Sequence, residues 1–231
     1  MALAGLPRID RLVLAELALP EWHPRAADGT CPVLGYVVHH PDGPVLVDAG
    51  VGRGSDLIER LYRPTVHDLV DRLAEAGVDE RDVVAVACSH LHFDHCGQAG
   101  ALTAPVHVQA AERRAAAEPG YTVPEWVALP EHRWRVADGD VELAEGVGLV
   151  ATPGHTPGHQ SVVVAGGNDV VVLVGQCAYT AAEFAAGAMP VDDAHDPSWL
   201  EAGLQSLRRL RALEPTRAVF AHDATDWSPA T

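Results

Sequence analysis

His90-Leu91-His92-Phe93-Asp94-His95 places three imidazoles and one carboxylate within six residues. Imidazole and carboxylate are the side chains that bind zinc and related borderline metals, so this spacing describes a metal-binding loop. Residues 83–87 just before it form a short apolar run typical of a buried strand. The histidines therefore fall on a loop at a strand end, where alternating ligands can point to one side. A second loop, Thr152-Pro153-Gly154-His155-Thr156-Pro157-Gly158-His159, presents His155 between Pro and Gly residues that restrict its conformations and let the backbone approach a metal closely. A single histidine is ordinarily a surface or hydrogen-bonded core residue. His23, His39, His40, His67, His107, His132 and His195 lack comparable surroundings and are read that way. His159 reads as a support for its loop rather than a ligand.

The elements that must position these loops follow from the patterning. Residues 1–20 are apolar, but Arg8, Asp10, Arg11 and Glu16 interrupt any uniform leader core, so a first strand is expected there. Residues 33–38 and 45–47 read as strands joined through His40-Pro41-Asp42-Gly43-Pro44, a hairpin signal, and Asp48-Ala49-Gly50 closes the second. Leu57, Leu61, Leu69, Leu73 and Ala76 are spaced for amphipathic helices. Further strands are expected at 106–109, 147–151, 161–165, 170–174 and 218–221. A helix is expected over 198–213, opened by Ser198 as N-cap with Glu201 three residues on. No repeat or linker divides the chain, so residues 1–231 are expected to form a single domain. The order of blocks predicts an α/β fold in four layers, with two sheets packed on each other and helices outside.

The loops 89–95 and 152–159 resemble the signature loops of the metallo-β-lactamase superfamily. Asp48-Ala49-Gly50 is similar to that family's early strand-end Asp, and Ala221-His222-Asp223 to its last ligand loop. The resemblance implies an αββα sandwich, with His90, His92 and His155 at one metal and Asp94, His95 and His222 at a second. Within the superfamily the pattern resembles the N-acyl homoserine lactone lactonases, because Tyr179 lies three residues after the position of the bridging ligand. By its length the chain is expected to carry neither the inserted domain of the nuclease branch nor the C-terminal helical domain of glyoxalase II. One departure stands out. The family's bridging Asp should follow Val174-Gly175, and Gln176 stands there. A neutral amide offers a carbonyl oxygen but not the anionic, two-oxygen bridge of a carboxylate. Adjacent strand residues face opposite ways, so Cys177 is not expected to replace it, and Cys96 reads as a small packing residue.

The resemblance implies a metal-dependent hydrolase of an ester-like bond, with a lactone as the first expectation. A bound metal lowers the pKa of water to near 7 and supplies hydroxide. Asp94 would orient that hydroxide and pass a proton to the leaving alkoxide, while Tyr179 would donate to the developing oxyanion. Zinc is the expected cofactor, with one tight ion, a weaker second, and iron or manganese as alternatives. A thioesterase or polyketide-tailoring hydrolase could use the same centre. A non-hydrolytic mononuclear protein, either an iron oxygenase similar to the persulfide dioxygenases or an inactive ligand binder, draws its support from Gln176. Trp22, Tyr62, Phe93, Trp126 and Phe184 are apolar candidates for an acyl pocket.

Composition narrows the partners. The 231 residues are 48% hydrophobic and 21% charged, as in ordinary folded proteins. The formal charge is −16 and every basic residue is Arg, with no basic stripe to neutralise a phosphate backbone, so nucleic acid is not an expected partner. No run reaches the roughly 18–20 apolar residues of a membrane span. Cys31, Cys88, Cys96 and Cys177 show no CxxC pairing, so free thiols and a cytoplasmic location are expected. A small acyl substrate is the expected partner, and the oligomeric state is open, a homodimer included.

Overall fold

The computed structural model describes residues 3, 5–188 and 197–229, and His195 lies outside them. Strands β1 (Ile9–Ala18), β2 (Thr30–His40) and β3 (Gly43–Val47) pair in antiparallel succession. His40 pairs with Gly43 across a two-residue turn, and Gly43 has φ +128°, a backbone region that favours glycine. Helix α1 (Asp56–Tyr62) starts at Ser55, whose hydroxyl accepts the Ile58 N–H. Strand β4 (Thr65–Val66) pairs with β1, and α2 (Leu69–Glu75) starts at Asp68, whose carboxylate accepts the Val70 and Asp71 N–H groups. These caps satisfy backbone donors that a helix start leaves open.

Strand β5 (Ala85–Ala87), α3 (Phe93–Cys96), β6 (Val106–Gln109), α4 (Ala110–Ala115), α5 (Pro124–Val127) and β7 (Trp134–Ala137) complete the first half. The first sheet has the order β4-β1-β2-β3-β5-β6-β7, with β3, β5, β6 and β7 mutually parallel. Strands β8 (Val141–Ala144), β9 (Val147–Ala151), β10 (Gln160–Gly166) and β11 (Asp169–Leu173) then form an antiparallel run. Helices α6 (Ala181–Ala186) and α7 (Pro197–Arg211) lead to β12 (Arg217–Val219), which pairs parallel to β11. The second sheet is ordered β12-β11-β10-β9-β8.

The layers can be read from side-chain alternation. On β2, Leu34, Tyr36 and Val38 join a core with Val162, Val164, Val171 and Leu173 of the second sheet, while Val33 and Val37 face the core that includes Leu69 and Leu73 of α2. On β11, Val171 and Leu173 face the other sheet, whereas Val172 packs with Leu207 and Leu210 of α7. A period of two in each strand therefore divides the apolar residues among three cores, which gives the four-layer αββα arrangement.

Two local expectations need correction. Helix α7 already includes Pro197, so Ser198 lies in its first turn and is not the residue ahead of it. Gln176 and Cys177 lie in a turn after β11, not on a strand, so strand alternation does not govern where they point.

Candidate metal centre

The turns that follow β3, β5, β11 and β12 meet at one edge of the sandwich. Ser89 accepts the Gln160 N–H and the Leu34 N–H bonds Ala221 O, so the two sheets are joined directly beside the site. The loop between β9 and β10 carries His155. Ring centroids of His90 lie 4.6 Å from His92 and 4.8 Å from His155, and those of His92 and His155 are 5.0 Å apart. His155 Nε2 stands 3.2 Å from His92 Nδ1. Ligands at about 2.0–2.1 Å from a tetrahedral zinc lie about 3.3 Å from one another, so this pair already has the separation of two ligands on one ion. One donor atom from each of His90, His92 and His155 lies within 4.8 Å of the others.

A second group, His90, Asp94 and His95, meets the same limit. Asp94 Oδ2 is 3.6 Å from His95 Nε2 and 3.6 Å from His222 Nε2, which adds the last histidine to this side. The outward nitrogens are fixed by neighbours behind each ring. Asp48 Oδ2 accepts from His95 Nδ1 at 2.8 Å, and Asp48 also accepts the Ser89 N–H at 2.7 Å and the Ser89 hydroxyl at 2.9 Å. Asp48 itself has φ +61°, in the left-handed region that glycine favours and that Asp and Asn tolerate better than other side chains. His90 Nδ1 lies 3.1 Å from Ser89 Oγ, and His222 Nδ1 donates to Pro32 O at 2.9 Å. Each contact commits Nδ1 to the protein and leaves Nε2 facing the centre, free to offer its lone pair once any proton on it is displaced.

Whether the residues suit a cation is decided by what they lack. Among the described residues, His90 Nε2, His95 Nε2, His222 Nε2 and Gln176 Oε1 are buried with no hydrogen-bond partner. A buried polar group without a partner costs about 1–3 kcal/mol, and four of them in one cluster call for ligands that satisfy them. The donor set of imidazole, carboxylate and amide oxygen suits a divalent borderline metal.

Charge is distributed accordingly. Burial holds His90 well below its usual pKa, and the neighbouring imidazoles add to this. Burial opposes the charge on His95 as well, but Asp94 and Asp48 overcome it and push the ring up to about 9. Asp94 is held below the usual carboxylate range, burial being outweighed by His95 and His222. Without metal the second group is thus an imidazolium–carboxylate pair, and a metal ion must displace its proton.

His159 commits both nitrogens to the protein. Nδ1 lies 2.8 Å from Thr152 Oγ1, Nε2 accepts the Gln176 N–H at 3.0 Å, and burial lowers its pKa to about 3. Gly175 has φ +63°, and a side chain there would meet His159 Nε2 at 2.7 Å, which explains glycine ahead of Gln176. Gln176 Oε1 accepts no hydrogen bond from the described residues, although its side chain is near enough to His95 to favour that ring's charged form. Cys177 packs in the helix-side core, where burial raises its pKa to about 12, and Cys96 donates to Leu91 O and His92 O. Tyr179 stacks on His222 at 5.4 Å and meets His155 edge-on at 6.1 Å, with the Arg25 guanidinium 5.4 Å over its ring. Burial, then Asp94, raises its pKa, so the phenol keeps its proton.

Among the apolar candidates, Trp22, Tyr62 and Phe93 form a row with centroid separations of 6.0 and 4.6 Å. Trp126 sits against Gly52. Phe184 is a correction: it is fully buried in the helix-side core with Phe220, Leu207 and Leu210. The reason is the capping box of α6, in which Thr180 and Glu183 exchange side-chain to backbone bonds and set the helix start so that Phe184 enters that core.

Sequence reasoning missed Glu112. This fully buried carboxylate on α4 accepts from Leu91 N–H at 2.7 Å, Thr156 Oγ1 at 2.7 Å, Gly158 N–H at 3.2 Å and the Tyr121 hydroxyl. Its only signal in the sequence was an acidic residue three positions after a strand, in the first turn of a helix, which by itself reads as a solvated helix face.

The metallo-beta-lactamase superfamily pattern matches residues 28–222, and the chain belongs to that superfamily. An N-acyl homoserine lactonase from a Bacillus species is 33% identical over 209 residues, covering 83% of this chain and 81% of its own. The N-acyl homoserine lactonase AttM of Rhizobium johnstonii is 29% identical, covering 87% and 86%. A crystal structure of a quorum-quenching N-acyl homoserine lactone lactonase superposes with a TM-score of 0.80 at 28% identity, over 97% of this chain and 95% of that one. An N-acyl homoserine lactone hydrolase with N-hexanoyl-L-homoserine bound at its catalytic metal centre gives 0.74 at 27%, over 97% and 95%.

Proposed function

We propose that this chain, as a single metallo-β-lactamase-like domain, hydrolyses the ester bond of a lactone, with an N-acyl homoserine lactone as the first substrate class. The carrying observation is the buried cluster of unpartnered donors, His90 Nε2, His95 Nε2, His222 Nε2 and Gln176 Oε1, beside a protonated Tyr179. The similarity to lactonases over most of the chain supports the same reading.

His90, His92 and His155 would hold the tighter metal, zinc in the first instance, and Asp94, His95 and His222 a weaker second. Bound there, a divalent metal lowers the pKa of water toward 7 and polarises the lactone carbonyl. Asp94, kept ionised by His95 and His222, accepts a hydrogen bond from the attacking water and so orients it toward the carbonyl carbon. Tyr179 donates its phenolic hydrogen to the carbonyl oxygen as negative charge develops there. The water oxygen forms the new C–O bond, the ring C–O bond breaks, and the water's proton passes through Asp94 to the leaving alkoxide. The product is an open-chain hydroxy acid. The Trp22, Tyr62 and Phe93 row ends beside His92 and Asp94, where an apolar acyl group could lie.

The test is a panel of acyl homoserine lactones, simple lactones and thioesters given to zinc-loaded protein, with the hydroxy acid identified by mass spectrometry. Lactone opening that stops when zinc is chelated is expected. Metal-loaded protein that cleaves thioesters and leaves every lactone intact would overturn the assignment.

A further inference from the structure

We propose that Glu112 is a positioning residue that sets the geometry of the first metal site by tying its two ligand loops together, an inference that rests on His90, His92 and His155 being ligands. The three histidines come from two loops that are far apart in sequence, and no element carries both. Glu112 bonds to each loop beside its ligands. Oε1 accepts the N–H of Leu91, the residue between His90 and His92, and Oε2 accepts the hydroxyl of Thr156, next to His155, and the N–H of Gly158. The Tyr121 hydroxyl gives Oε1 its second donor, and the Tyr121 ring lies 4.9 Å from that of His92.

Close packing reinforces the tie. A Cβ at Gly158 would stand 2.1 Å from Glu112 N and 2.5 Å from Glu112 Cβ, so the second loop touches the start of α4 with no room for a side chain. A fully buried carboxylate with two donors on each oxygen is saturated, and an amide cannot reproduce it. In Glu112→Gln one end becomes NH2 and faces two donors. A hydroxyl can rotate and accept, but a backbone N–H cannot, so either Leu91 or Gly158 loses its acceptor whichever way the amide turns. One loop is released relative to the other, and the separation of His155 from His92 is no longer held.

The experiment measures zinc affinity by competition with a chromogenic chelator, and site geometry from the visible spectrum of cobalt-substituted protein. For Glu112→Gln, zinc affinity should fall by about tenfold to a hundredfold, the usual effect of removing a group that orients ligands. The cobalt bands should also change in energy or intensity. Thr156→Val, which removes one donor and keeps the shape, should move both readouts less and in the same direction, and it decides the matter alone if Glu112→Gln does not fold. Arg133→Met is the comparison, since Arg133 is buried and bonds Ala99 O and Ala104 O away from the loops. It should lower the melting temperature without moving the cobalt bands. Natural protein that binds no zinc would refute the ligand assignment. Zinc bound by the natural protein, with unchanged affinity and spectrum in the variants that fold, would refute the role of Glu112.

Discussion

Gln176→Asp should strengthen the second metal position, because the charge around it is deficient. Among Asp94, His95, His222 and Gln176, only Asp94 is anionic. Two dications 3.5–4 Å apart repel by an amount on the order of 20 kcal/mol at an effective dielectric of about 20. One additional carboxylate about 5 Å from a dication returns about 7 kcal/mol at that dielectric. Burying a new charge takes back several kcal/mol, and roughly 1.4–2.8 kcal/mol remains, equivalent to about tenfold to a hundredfold in affinity. The natural protein should therefore hold close to one tight zinc per chain after dialysis, with a second taken up only in excess. The variant should retain a second equivalent. Titration calorimetry on metal-free protein and elemental analysis after dialysis read these outcomes without reference to turnover. Two equally tight ions in the natural protein, with no gain in the variant, would refute the charge argument.

His92→Ala and His155→Ala should each lose most bound zinc and nearly all hydrolysis, since a three-ligand site missing one ligand is incomplete; elemental analysis that matches the natural protein would remove both residues from the site. Tyr179→Phe should keep its zinc and slow turnover by roughly tenfold to a thousandfold, the range for one oxyanion donor, and an unchanged kcat would leave the stack on His222 as its whole role. Zinc at a hundred times its dissociation constant should add about 2.7 kcal/mol to stability. For a chain of this size that is about 5–11 °C in Tm, and thermal melts of stripped and reloaded protein should show it.

The sheets were legible where strands are buried on both faces. Residues 33–38 and 45–47 announce themselves as short apolar runs, and the structure places strands over both. Strands β7 and β8 were not anticipated, because Arg135, Val136, Val141 and Glu142 are exposed and the sequence there has neither a continuous apolar run nor clean alternation. The short helices α3 to α6 were equally hidden. Pieces of four to six residues have too few turns to show a 3.6-residue period, and their stability comes from packing and caps such as the Thr180–Glu183 box.

The candidate ligands were legible for a different reason: the loops concentrate donor side chains in short segments, and clustering is visible without knowing the fold. What orients them is not concentrated. His95 is turned by Asp48, 47 residues away in sequence, and His222 by the backbone carbonyl of Pro32, 190 residues away. A carbonyl is present at every position, so its selection as a partner leaves no trace in residue type. Glu112 shows the same limit with an informative side chain, because its four donors come from Leu91, Tyr121, Thr156 and Gly158, two of them through the backbone. The side chains that would touch a metal are thus encoded locally, whereas the hydrogen bonds that aim them depend on strand order bringing distant turns to one edge of the sandwich. A substitution in the outer set should therefore alter affinity and geometry while leaving every candidate ligand in place, and that is the behaviour Glu112→Gln is designed to reveal.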